Sequence, residues 1–188
     1  MSSLDQFNKV DVYLLDQYFK GNFHKQLSIL DIGCGKGRNS IPFINNGFNI
    51  DLVDPTCNIP EEYLNSFEEA DIQTYNPRKK YNFIICNAVL HFCNSTDEFL
   101  DDFNRICSWL QPGGVLFIRM TSDFGIDTQQ ELGEGRYVLK DGTTRFLLNK
   151  ELLNKIISNN NLIKVEPVKT SLVEDLRAMT TLVLSRKK

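Results

Sequence analysis

Three aspartates and a glycine-rich turn are spaced so that they can hold a nucleoside with a charged tail. The run Leu30-Asp31-Ile32-Gly33-Cys34-Gly35-Lys36-Gly37-Arg38-Asn39-Ser40 opens where an apolar strand feeds a helix. Glycines there let the backbone turn sharply and approach a ligand with no Cβ in the way. The order is not the dinucleotide fingerprint, which requires glycine at position 38; that residue is Arg38, and the third glycine is Gly37. Asp31 sits two residues before Gly33. A carboxylate at that strand tip repels a pyrophosphate and attracts an ammonium group. Asp54 lies about 20 positions beyond the turn, where an acid takes both hydroxyls of a ribose. Asp71, at the end of the next expected strand, offers an acceptor to an adenine amino group. Ammonium, ribose and amine at three successive strand tips describe S-adenosyl-L-methionine. The bland readings are a chance turn for the glycines, a helix cap for Asp54 and a solvated acidic stretch for Asp71.

The elements that must position these residues alternate along the chain. Apolar spacings of three and four predict an amphipathic helix over 4–19. Short apolar runs predict strands over 28–33, 49–55, 71–75, 82–89 and 115–120, with helices over 38–46, 61–68 and 97–110 between them. The 82–89 run is apolar almost throughout, as a central parallel strand covered on both faces should be. Residues 121–146 are irregular, with a hairpin around Asp141-Gly142. A helix starts at Asn149 and runs through Ile157, and strands over 163–168 and 180–184 follow without a helix-length link. Those last two must therefore pair antiparallel. The class is α/β, a seven-stranded, mostly parallel sheet with helices on both faces and an antiparallel last strand.

From Ser28 onward the chain resembles the class I S-adenosylmethionine-dependent methyltransferases, with the Pro112-Gly113-Gly114 turn before the fifth strand part of the likeness. Locally, the stretch Gly33 to Ser40, then Asn46-Gly47-Phe48, Asp54 and the ending Ser185-Arg186-Lys187-Lys188, is similar to the tellurite-resistance branch. The resemblance implies a Rossmann-like sheet. It also implies a cofactor held by Asp31, Gly33, Cys34, Gly35, Asn39, Asp54, Pro55, Asp71, Ile72 and Asn87. The insertion over 121–146 is unlike that branch.

Methyl transfer from a sulfonium is an in-line displacement, so no covalent nucleophile is required; the protein holds two reactants in line and excludes water. The acceptor is expected beside Asn87-Ala88-Val89-Leu90-His91-Phe92. His91 titrates in the neutral range and is the candidate catalytic base, with a packed histidine as the alternative. Arg119, in an apolar strand, wants a carboxylate or an anionic ligand, and Arg177 follows from the loop expected over the same rim. Both are candidate substrate contacts. The N-terminal helix, within 1–24, is expected over the cofactor, and the 121–147 insertion as a substrate lid. Ala88-Val89-Leu90 replaces the Pro-Pro-aromatic signature of DNA amino-methyltransferases, which removes the main support for base flipping.

The 188 residues form one expected domain, with Lys+Arg 21 against Asp+Glu 24 and a net charge of −3. That balance excludes a broad basic field for nucleic acid or an anionic membrane. Five cysteines without CxxC spacing read as reduced thiols, and two histidines are too few for zinc, so no metal is expected. The N-terminus lacks a signal-peptide pattern. The expectation is a cytoplasmic enzyme, monomer or weak dimer, acting on a small molecule. Two rival classes are a non-catalytic adenosyl-nucleoside-binding module and a nicotinamide-dependent oxidoreductase.

Overall fold

The computed structural model describes residues 5–126 and 130–188. Helix α1 (Val12–Phe19) precedes strand β1 (Ile29–Ile32), the one-turn helix α2 (Ile41–Ile44), and strands β2 (Ile50–Asp54), β3 (Phe67–Glu69) and β4 (Tyr81–Asn87). Helix α3 (Thr96–Trp109) leads into β5 (Leu110–Ser122). Strands β6 (Gln130–Gly133), β7 (Arg136–Val138) and β8 (Thr144–Phe146) come next, then helix α4 (Lys150–Asn159). Strands β9 (Leu162–Lys164), β10 (Lys169–Val173) and β11 (Arg177–Arg186) end the chain.

The main sheet runs β10-β11-β5-β4-β1-β2-β3, with β9 also paired to β11. Strands β1 to β5 are mutually parallel, β11 is antiparallel to β5, and β10 is antiparallel to β11. The order reverses at β1, between β4 and β2. In such a sheet the crevice for a ligand opens there, beyond the carboxyl ends of the strands.

Period-two alternation feeds two separate cores. Leu30, Ile32, Ile84 and Cys86 pack with α3 and α4 residues such as Phe99, Phe103 and Ile156 on one face. Ile29, Phe83 and Ile85 pack with Leu14, Phe23 and Phe43 on the other. Every residue of β1 is buried, which is why its sequence reads as a continuous apolar run apart from Asp31.

Several expected boundaries are corrected. The first helix does not span 4–19: residues Asp5–Phe7 form a 3-10 turn and the α-helix begins at Val12; Leu4 lies outside the described residues. Asp11 breaks the run because its carboxylate caps the helix, accepting from the Tyr13 N–H at 2.9 Å. The third strand is Phe67–Glu69 rather than 71–75. Asp71 lies two residues beyond it, in a turn where Thr74 donates to its carboxylate through backbone N and hydroxyl, both at 2.7 Å. The helices expected over 38–46 and 61–68 shrink to one α-turn and a 3-10 segment, Glu61–Ser66. The fifth strand starts five residues early, since Leu110 pairs with Tyr81 before a bulge at the proline-glycine turn. The expected strand over 163–168 is cut short as β9, ahead of Pro167, which has no N–H for the ladder, and a separate strand, β10, begins at Lys169.

The hairpin around Asp141-Gly142 is present as β7 and β8, and β6 adds a third strand beside β7. Residues 127–129 of the insertion lie outside the described residues. The excursion leaves β5 and returns to it: Asp123 N–H donates to the Leu148 carbonyl at 3.2 Å, and Leu148 N–H to the Thr121 carbonyl at 3.1 Å. Strand β8 packs against the turn Leu90–Phe92, which follows β4.

Candidate functional site

The glycine turn is built as its sequence requires. Gly33 has φ +73°, and both its N–H and that of Cys34 donate to the Val53 carbonyl, at 2.8 and 3.1 Å. A Cβ on Gly33 would lie 2.2 Å from the Val89 side chain. Gly35, at φ +55°, faces open space, with nothing within 4 Å of its would-be Cβ. One glycine is thus demanded by protein packing, and the other keeps room free at the rim.

Asp54 closes the turn from the neighbouring strand. Its carboxylate accepts from Gly35 N–H at 2.8 Å and from Thr56 N–H at 3.0 Å. Two backbone donors fix the carboxylate, and its other lone pairs remain for a ligand's hydroxyls. Asp31 is buried and accepts from the Ser40 hydroxyl at 2.6 Å. Burial pushes its carboxyl up to about 6, with Asp54 adding in the same direction, while Ser40 and Arg38 oppose. Asp31 therefore loses its proton over the range where an approaching cation would gain from the charge.

Two consequences are measurable. Because the folded value lies above the unfolded one, ionisation of Asp31 costs stability as pH rises from about 4 to 6, by up to about 3 kcal/mol on the usual conversion. A cationic ligand gains affinity over the same window. Titration calorimetry with S-adenosylmethionine should show affinity falling several-fold as pH drops below about 6, and Asp31→Asn should abolish that slope. A pH-independent affinity in the unmodified protein would remove Asp31 from the site.

A cavity of about 410 Å³ opens beside the turn, lined by Ile32, Gly33, Pro55, Asp71, Ile72 and Gln73 and, from the other side, by Val89, Phe92, Cys93, Glu98 and Asp102. That volume is in the range of small-molecule sites. Four of the expected cofactor residues, Gly33, Pro55, Asp71 and Ile72, line it. Asp31, Cys34, Gly35, Asn39, Asp54 and Asn87 do not line it; Gly35 and Asp54 are joined to each other, and Asp31 to Ser40, by hydrogen bonds. Cys34 is buried against the second core.

Composition and spacing did not single out Asp102 or Glu98, and took Cys93 only as one of five reduced thiols. Asp102 is buried, with one carboxylate oxygen lacking any partner, and burial raises its carboxyl to about 6. A signal was present: with Phe99, Phe103 and Ile106 it falls on the apolar stripe of α3, where a charge has no place without a reason. Ligand atoms of Cys93, Glu98 and Asp102 lie within 4.8 Å of one another. Burial holds the Cys93 thiol up at about 12, so that member of the cluster keeps its proton at neutral pH.

Asp11 is the larger omission. Its side chain is only 1% exposed and accepts from Asn87 Nδ2 at 3.1 Å and Arg119 Nη1 at 2.9 Å, while its own N–H donates to Asn39 Oδ1 at 3.0 Å. Asn39 and Asn87, expected at the cofactor, are thus tied together through the start of α1. The signal was its place inside an apolar period at a position suited to a cap. Arg119 spends a second nitrogen on Ser171 at 3.1 Å, and Arg177 pairs with Asp141 at 2.8 Å. Both arginines expected at the substrate therefore have partners within the chain.

His91 is buried beside the end of β4, 7% exposed, with Nδ1 lacking a partner. Burial, with the guanidiniums of Arg145 and Arg177 acting in the same direction, lowers its imidazolium to about 4. It is neutral at physiological pH and a weak base. Among the described residues no helix is long and apolar enough to cross a membrane.

The profile of a methyltransferase domain family matches residues 13–166. Malonyl-[acyl-carrier protein] O-methyltransferase 2 of Ilyobacter polytropus is 31% identical over 143 residues, covering 69% of this chain and 52% of that protein. Trans-aconitate 2-methyltransferase of Rhizobium leguminosarum bv. trifolii is 32% identical over 104 residues, covering 51% of this chain and 39% of its own. The chain therefore spans about half or less of the length of these curated relatives. Among solved structures, the 1,6-didemethyltoxoflavin-N1-methyltransferase of Burkholderia thailandensis superposes with TM-score 0.70 at 16% identity, over 97% of this chain and 79% of that one. The local likeness to the tellurite-resistance branch finds no support among these relatives. With its matched profile, its sheet order and its glycine turn in agreement, the chain belongs to the methyltransferase domain family.

Proposed function

We propose that the protein transfers a methyl group from S-adenosylmethionine to a small-molecule acceptor. The observation that carries this reading is the cavity at the switch point of the sheet, with Gly33 and Asp71 in its wall and Asp54 clamped beside it by the Gly35 N–H. The residues present fit the cofactor: room at Gly35, a held carboxylate at Asp54, and Asp71 and Asp102 in the cavity wall. When bound, S-adenosylmethionine supplies a methyl group already activated on a sulfonium.

The chain does the rest by placement. Asp54 receives the ribose hydroxyls, and Asp71 and Asp102 offer acceptors to the adenine amino group at the far end of the cavity. Ile72 and Pro55 supply apolar walls for the ring. Asp31, with Ser40 donating to it, sets a negative charge behind the glycine turn for the ammonium end. Helix α1, fastened through Asp11, covers that end, and the insertion over 121–147 walls the acceptor side. The work is orientation and exclusion of water, which can supply several kcal/mol of the barrier without a covalent step.

The test is calorimetry with S-adenosylmethionine, S-adenosylhomocysteine and NADH. The first two should bind and NADH should not. Asp54→Ala should weaken both by at least about tenfold, roughly 1.4 kcal/mol, with the fold intact by circular dichroism. Unchanged affinity in that variant, or binding of NADH alone, would sink the reading. Binding without turnover on a broad acceptor panel would instead assign the chain to the non-catalytic nucleoside-binding class.

A further inference from the structure

The acceptor side of the cavity carries an uncommitted cation. Arg145, on β8, lies over the ring of Phe92 with its guanidinium carbon 4.9 Å from the ring centroid. Phe92 lines the cofactor cavity and is still 60% exposed. The His91 ring meets the same phenyl ring edge-on, with centroids 4.5 Å apart. Among the described residues, Arg145 donates to the Thr144 carbonyl alone, at 2.7 Å. No carboxylate among the described residues lies within salt-bridge distance of it. Arg119 and Arg177, by contrast, are each neutralised by an aspartate. Tyr137 stands directly opposite Arg145 in the β7–β8 ladder and so shares its face.

A second observation points at the same spot. His91 is more than nine-tenths buried, and its Nδ1 has no partner. A buried polar atom left unpaired, on a ring that shares Phe92 with a guanidinium lacking a carboxylate among the described residues, marks an unfilled polar site.

We propose that Arg145, with the buried His91 next to it, anchors a carboxylate of the methyl acceptor, so that the protein methylates a small carboxylic acid on oxygen. This rests on the methyltransferase reading above and narrows its substrate class. One carboxylate oxygen takes the guanidinium hydrogen bond; the other forms the new O–CH3 bond as the C–S bond breaks and its electron pair stays on sulfur. The acid's negative charge and the sulfonium's positive charge cancel, giving a methyl ester and a thioether. No proton is released, so no base is needed. That suits a histidine kept neutral and weakly basic by burial. An alcohol or amine acceptor would have to shed a proton to a group of that kind, and an acceptor that is already an anion does not.

The experiment uses the full chain saturated with S-adenosylhomocysteine, so cofactor binding is established before any acceptor is added. Succinate, trans-aconitate and benzoate are titrated calorimetrically, each beside its methyl ester, with inorganic phosphate as a second anion. At least one acid should bind about tenfold or more tightly than its ester. Arg145→Gln should lose that preference with S-adenosylhomocysteine affinity unchanged, and Arg145→Lys should recover part of it. With labelled S-adenosylmethionine, the product should release labelled methanol in base, and turnover in weak buffer should release no proton. Equal binding of acids and esters, preference for phosphate, no binding of any acid at millimolar concentration, or an unaffected Arg145→Gln would each overturn the proposal. Failure of S-adenosylhomocysteine itself to bind would instead overturn the methyltransferase reading, which separates the two.

Discussion

Asp11→Ala should cost about 3–5 kcal/mol of stability and loosen the cofactor's amino-acid end. The carboxylate is almost fully buried and holds three donors: the Tyr13 N–H, Asn87 Nδ2 and Arg119 Nη1. Deletion strips α1 of its cap and leaves a guanidinium, 21% exposed and already with an unpartnered Nε, facing no counter-charge. Denaturant unfolding reads the loss. Because the two charges form one unit, Asp11→Ala combined with Arg119→Ala should cost clearly less than the sum of the single changes. Amide exchange should accelerate across α1 in the single variant while β1 and β4 stay protected. A loss below about 1 kcal/mol would show that the hub carries no weight.

Gly33→Ala should be nearly as damaging and should also abolish cofactor binding. Its φ of +73° disfavours any side chain by about 1–2 kcal/mol. The added methyl would sit 2.2 Å from Val89 Cγ2, and Val89 is a β-branched residue with few rotamers to retreat into. The total is roughly 3 kcal/mol, a fall in Tm of about 6–12 °C for a chain of this size. Val89 also walls the cavity, so any relief of the clash displaces the wall. Gly35→Ala provides the contrast. Nothing lies near its Cβ position, so it should cost about 1 kcal/mol from its positive φ and yet weaken S-adenosylhomocysteine, because the methyl enters space kept for the ligand. Equal cofactor affinity in Gly35→Ala and the parent protein would mean that the ligand does not approach this turn.

The two substitutions mark where local sequence stops being informative. The glycine turn, the apolar strands and Asp54 are legible because each follows from a short-range rule: a bend that excludes Cβ, alternation between two faces, an acid about one βα unit downstream. Element ends were less legible. Asp71 moved off its strand because its side chain found Thr74 three residues away, and Asp11 split the first helix because a cap and two distant donors outweighed helical periodicity.

The fates of the charged residues were not written locally at all. Arg119, Arg145 and Arg177 look alike along the chain. Only the fold gave Arg119 to Asp11, gave Arg177 to Asp141, and left Arg145 on an aromatic ring with no carboxylate among the described residues within salt-bridge distance. His91 likewise has an ordinary histidine's chemistry until β8 packs against its turn, strips its water and brings guanidiniums near. By itself the sequence determined the sheet and the glycine turn, since these depend on backbone geometry and hydrophobic period. The tertiary structure alone decided which charges are spent and which are free, because Coulomb energy and desolvation depend on neighbours brought together from across the chain.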